Sequence, residues 1–260
     1  MKRRTRTRLM LVLLVALLGA AAYAELLREE WAQPRPLTTV DTSAAARIVV
    51  ECRTCRGRTF ERTPAGWRMR EPYAFAASDE AVARLLAIAS APMRKRRAAA
   101  DADAKKLGLD PPVASIHIDD LRIDVGTTDA INGLRYVRHG GDIALVHDNY
   151  SAWLLAPPES ELDRRLAPPD FDLATVRVDG DERPALAAAW RIVTTSQVVA
   201  SNTIVAEGEI RRRIELAAKD GSTLRFTLVR GDGRYVALRD DLPLAYPLEE
   251  AQVQHLLPPP

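Results

Sequence analysis

The sequence predicts an α+β fold: an N-terminal membrane helix or signal segment, followed by antiparallel β-meanders with short packed helices. Three observations predict it. From Pro112, and again from about Phe171, apolar and polar residues alternate in runs separated by turn residues. SDEAVARLLAIAS (78–90) instead spaces its apolar residues for a helix. Leu9 to Ala24 is an uncharged run behind MKRRTRTR, which carries five basic residues and no acid.

That N-terminus is an export signal with two readings. As a helix, its sixteen residues reach roughly 24 Å. This falls short of a hydrocarbon core of about 30 Å unless Arg8 snorkels and Leu26 and Leu27 extend the far end. As a signal peptide, it ends in Ala22-Tyr23-Ala24, an A-x-A cleavage site. An uncleaved anchor is the leading reading. Under either, the basic flank stays in the cytoplasm and everything after about Glu25 lies outside it. The expected location is the bacterial inner membrane, single pass, with the folded part in the periplasm.

The formal charge of +2 hides a division. Without the five N-terminal bases, 32 Lys+Arg face 35 Asp+Glu, a net of −3. The exported part is mildly acidic, so neither charge nor location suggests a nucleic-acid partner. With 260 residues, the chain has room for one large domain or two small ones. The expected division is 1–24 anchor or signal peptide, 25–45 tether, 46–169 first α+β domain and 170–260 second β-rich domain.

The elements follow in order. Pro34 and Pro36 suit a tether. RIVVEC (47–52) reads as a strand, RTFER (58–62) as its return, and Pro64-Ala65-Gly66 as a turn into GWRMREP. Ser78 is an N-cap candidate, Asp79 and Glu80 suit the helix dipole, and Val82, Leu85, Leu86 and Ala89 share one face. Pro92 stops this helix, and DADAKKLG (101–108) reads as one or two further helical turns closing at Gly108.

In VASIHIDDLRIDVG (113–126), a loop at Asp119-Asp120 sets Ile118, Ile116 and Ala114 against Leu121, Ile123 and Val125. The same register puts His117 beside Arg122 and Ser115 beside Asp124 on a solvated face. GLRYVRHGGDIALVHD (133–148) turns at Gly140-Gly141. After the Pro-rich break APPESELDRRLAPPD (156–170), RRRIELAAKDGSTLRFTL (211–228) forms a hairpin. A three-residue loop at Lys219-Asp220-Gly221 pairs Leu216 with Leu224 and Ile214 with Phe226, with Glu215 beside Arg225 outside. RGDGRYVAL continues this meander, and Leu248 to Leu257 offers a closing helix.

The run from Gly66-Trp67 through Glu71-Pro72, the short helix, KLGLDPPVASIHID, LRIDVG and GLRYVR resembles the bacterial domain-of-unknown-function family 4340, over roughly residues 46 to 178. That resemblance implies an N-terminal membrane helix and often a second β-rich stretch. It also implies, for some members, an association with auxiliary components of ABC transporters of the gliding-motility type. It supplies no catalytic motif.

The two cysteines of the chain lie in ECRTCRG (51–57). A thioredoxin-like site needs a helix starting at the first cysteine, but a returning strand follows. A zinc site needs four ligands; there is no second cysteine pair, and borrowing His139 and His147 is unforced. The remaining reading in an oxidising compartment is a Cys52–Cys55 disulfide across a turn.

His117, His139 and His147, with Asp119, Asp120, Asp142 and Asp148, are the material for a catalytic or metal cluster, but no fixed motif spacing joins them. His255 stands apart, and no serine occupies a G-x-S-x-G elbow. Arg94-Lys95-Arg96-Arg97 reads as a solvated loop that could touch anionic headgroups or an acidic glycan. Arg230-Gly231-Asp232 is a turn signal, and Trp67 and Trp153 read as core.

The expected function is therefore a non-enzymatic, membrane-tethered scaffold or accessory subunit of an envelope or ABC-transporter-type complex, with the inner membrane and other envelope proteins as partners and no cofactor. The rival is an envelope glycan-binding module or hydrolase that uses the histidine and aspartate residues of the first meander.

Overall fold

The alternating runs of the first half form nine strands: β1 (Arg47–Cys52), β2 (Arg58–Thr63), β3 (Gly66–Glu71), β4 (Phe75–Ala76), β5 (Met93–Ala98), β6 (Ala114–Ile118), β7 (Leu121–Thr128), β8 (Arg135–His139) and β9 (Asp142–Val146). All pair antiparallel in one sheet, in the order β4-β3-β2-β1-β6-β7-β8-β9-β5. A second antiparallel sheet contains β10 (Leu173–Val178), β11 (Asp181–Glu182), β12 (Val199–Ala200), β13 (Ile210–Ala218), β14 (Thr223–Gly231), β15 (Arg234–Arg239) and β16 (Leu244–Leu248). Its order is β11-β10-β13-β14-β15-β16-β12.

The helices are short: α1 (residues 13–24), α2 (Asp79–Leu86), α3 (Ser151–Leu154), α4 (Ala187–Ile192) and α5 (Glu250–Leu256). This computed structural model describes residues 13–24, 35–204, 210–231 and 234–257. The basic run 1–8, the start of the apolar run, residues 25–34 of the expected tether and Asp232 lie outside the described residues.

Both expected hairpin registers hold. Ile116 faces Ile123 and Ile118 faces Leu121; Ile214 faces Phe226 and Leu216 faces Leu224, with Gly221 at φ +86° in the loop. Ser78 caps α2 by accepting from the Ala81 N–H, and Val82, Leu85, Leu86 and Ala89 are all buried. One continuous buried cluster joins the inner residues of both sheets. Trp190 of α4 lies 6.2 Å from Phe226 of the second sheet, which meets Tyr246 edge-on, and the Trp190 indole N–H donates to the Leu256 carbonyl, fastening α5.

Three segments depart from expectation. Arg94-Lys95-Arg96-Arg97 is the body of strand β5, paired with β9 at the end of the sheet. Backbone hydrogen bonds make this strand without any apolar alternation, and charge is tolerated because neither face is buried. DADAKKLG follows a 3-10 turn at Ala99–Asp101 and is itself a run of hydrogen-bonded turns, closing at Gly108 with φ +65°.

The Pro-rich segment is a buried seam rather than a surface break. The Ser78 N–H donates to the Glu161 carbonyl and the Asp163 N–H to that of Ala76, while the Thr195 N–H donates to Arg164 on the other side. Leu162 and Leu166 fill the space between. The Arg239 guanidinium, from the second sheet, lies 4.3 Å over the Phe75 ring of the first.

Candidate functional site

The most heavily bonded site stands on the inner face of β2. Alternation there places Arg58, Phe60 and Arg62 on one side, so an arginine shares a face with a core phenylalanine. Arg58 is 1% exposed. Its Nε and Nη2 clamp both oxygens of Glu161 at 2.5 and 2.6 Å. Nη2 also donates to the Trp153 carbonyl at 2.7 Å, and Nη1 to the Leu154 carbonyl at 3.2 Å and Cys55 Sγ at 3.6 Å. All five guanidinium N–H groups are thereby engaged. Two of the acceptors are carbonyls at the end of α3, where a cation is favoured.

Around this clamp, Tyr73 donates to Glu159, and Arg84 lies 4.5 Å over the Trp153 ring. Burial pushes the Glu161 carboxyl up to about 7, against the opposing pull of Arg58. Burial also raises the Tyr73 hydroxyl to about 12, helped by its bond to Glu159. Every donor of Arg58 is spent on Glu161, two backbone carbonyls and Cys55 Sγ, so the guanidinium has no N–H left for a ligand. It ties together β2, the cysteine loop, α3 and the seam.

Cys52 and Cys55 form a disulfide with Cα atoms 5.4 Å apart, and Cys55 Sγ touches both Arg58 and the Leu154 carbonyl. The structure thus shows the bridge across the turn.

The polar face of the first sheet has a different centre. Asp124 is 3% exposed, which corrects its expected place on a solvated face. It accepts from Ser115 Oγ at 2.8 Å, Arg122 Nε at 2.9 Å and Arg138 Nη2 at 2.6 Å. Burial alone would raise its carboxyl, but the bonds from Arg138, Ser115 and Arg122 outweigh it and hold the group below the usual range.

Of the histidines and aspartates of the first meander, Asp119, Asp142, Asp148, His139 and His147 are each engaged locally. Asp119 accepts from the Arg47 and Ala46 N–H groups. Asp142 pairs with Arg96, and Asp148 with Arg135 and the Ser151 N–H. His139 meets the Arg122 carbonyl at 3.2 Å, and His147 accepts from Arg94. Among the described residues, no group of three His, Cys, Asp or Glu side chains is placed to hold a metal ion. His117 lies 3.8 Å from Glu51 in an open groove of about 330 Å³ shared with Arg47, Val49 and Asp119, and its Nε2 makes no hydrogen bond. Asp120 and His255 are exposed. Trp67 is core as expected, but Trp153 is 42% exposed beneath Arg84.

Sequence reading missed Arg58, Glu161, Glu159 and Tyr73. The available signal was Arg58 itself, in register with Phe60 on an inward face, which demands a buried counter-charge.

The family described as "Domain of unknown function (DUF4340)" matches residues 67–189. Those residues are similar to that family. The DUF4340 segment runs from β3 into α4, so it includes Asp124, Glu161 and β5 and excludes β1, β2, the disulfide and Arg58. No curated protein and no solved structure matches the chain.

Proposed function

We propose that this protein is a membrane-tethered extracytoplasmic scaffold, an accessory subunit that binds other proteins of an envelope complex and performs no chemistry of its own. The observation that carries the reading is how its polar side chains are spent: Asp119, Asp142, Asp148, His139 and His147 of the first meander are tied to separate neighbours, and of these Asp119 alone lines the open groove that holds His117.

Tethering is supported by the basic run before the apolar stretch and by α1, whose Leu13, Leu14, Val15, Leu17 and Leu18 are exposed. Among the described residues no helix is long and apolar enough to cross a membrane; in the sequence the uncharged run begins at Leu9. An ABC-type transporter is the partner class that the family resemblance implies. The rival, a glycan-binding module or hydrolase, rests on the unpaired His117 Nε2 beside Glu51.

In-cell crosslinking of the full chain, with mass identification, is expected to recover envelope membrane proteins. Protease added to spheroplasts is expected to degrade the folded part. Protection in spheroplasts, or crosslinking confined to cytoplasmic proteins, overturns the reading.

A further inference from the structure

We propose that the outer edge of β5 docks an extended acidic segment of a partner protein, which adds to the first sheet as a further strand. This deepens the scaffold reading and rests on it.

Arg94 to Ala98 are exposed without interruption, so β5 has no buried face. One edge pairs with β9. On the other edge, Met93 N–H donates to the Arg35 carbonyl and Pro36 bridges Pro92, and from Arg94 onward no backbone partner is present among the described residues. Ala99 N–H points to Gly141 beside β9, so by alternation the N–H groups of Ala98 and Arg96 point to the other edge, where they have no partner among the described residues.

Charge then selects the occupant. Arg96 pairs with Asp142 and Arg94 with His147, whereas Lys95 and Arg97, on the opposite face from Arg96, have no ion pair among the described residues. An added strand sends its side chains alternately to both faces, where acidic ones meet cations on either side. A second copy of this chain brings the same cations to the same edge and is repelled. An acidic strand is admitted.

The probe is a synthetic peptide of alternating Glu and Thr, titrated into the full chain in detergent at low and physiological salt. Its control has the same charge but carries prolines that remove backbone donors. The alternating peptide is expected to bind about tenfold tighter than the control, and Lys95→Glu/Arg97→Glu to lose about tenfold or more. Ala98→Pro is the sharper variant. Ala98 has φ −65°, which proline adopts freely, so the substitution removes an outward N–H and leaves the fold unstrained; it is expected to weaken the alternating peptide and leave the control unchanged.

Equal binding of both peptides, no binding, or preference for phosphatidylglycerol vesicles over the peptide overturns the proposal. Crosslinks to envelope partners that persist undiminished in the Ala98→Pro chain sink the β5 site and leave the scaffold standing. Their absence from the unaltered chain sinks the scaffold itself.

Discussion

Asp124 on the outer face of the first sheet and Glu161 at the seam are both buried carboxylates gripped by arginine, yet their ionisation is displaced in opposite directions. Asp124 is held by Arg122 and Arg138, whose side chains remain 53% and 29% exposed, and by Ser115. Its counter-charges stay partly hydrated, and three separate donors lower its carboxyl. Among the described residues Glu161 has one hydrogen-bonding side-chain partner, Arg58, with no exposed side-chain surface, which also serves two carbonyls and a sulfur. Desolvation wins there. An arginine contact alone therefore does not decide how a carboxylate ionises; the count of donors and the water left around them do.

The largest effect that bears on this contrast is loss of Arg58. Arg58→Ala strands Glu161 and two backbone carbonyls, at an expected cost of about 3–5 kcal/mol in denaturant unfolding. Arg58→Met with Glu161→Leu should recover much of that loss. A double variant no better than the single one would mean that stranded charge is not the cause.

The next effect is in pH. The Glu161 carboxyl is raised from 4.5 to about 7 on folding, so the folded state binds the extra proton between those values. Its contribution is present below about pH 4.5 and is lost as pH rises to about 7, on the order of 3 kcal/mol in all. Asp124 runs the other way, contributing above its ordinary range near 3.8 and losing that contribution as acid titrates its lowered folded value. Glu161→Gln should flatten the stability slope between pH 4.5 and 7, and Asp124→Asn should flatten it only below that window. An unchanged slope in Glu161→Gln contradicts the contrast.

Smaller still is the difference between the two outer faces. Glu215 in the second sheet is bridged by Arg177 and Arg225, much as Asp124 is bridged, but its side chain is 26% exposed. Asp124→Asn should cost about 1–3 kcal/mol and Glu215→Gln no more than about 1 kcal/mol, both read by thermal melting. Equal losses would remove burial from the account.

What was legible in the sequence follows the same division. Both hairpin registers could be read because one register satisfied the apolar and the polar residues together. The Ser78 cap and the disulfide were readable because each is local. β5 was not, since four consecutive cations carry no period and its strand character comes from β9. Nor was the seam: Leu162 and Leu166 are buried by contacts with two sheets distant in sequence. The depth of Asp124 escaped for the same reason, because Arg138 arrives from β8, fourteen positions away. The Arg58–Glu161 clamp spans 103 positions and left only one local trace, an arginine on an inward face.

His117 tests the central claim, that this protein works by binding and that its meander residues are structural or idle. Its side chain is partly exposed, its Nε2 makes no hydrogen bond, and Glu51, at 3.8 Å, is its one ion-pair contact among the described residues. His117→Ala, assayed by thermal melting and by complementation of a deletion strain, is predicted to stay within about 0.5 kcal/mol of the parent and to complement fully. A His117→Ala protein that melts like the parent and fails to complement would contradict the account and favour the enzyme.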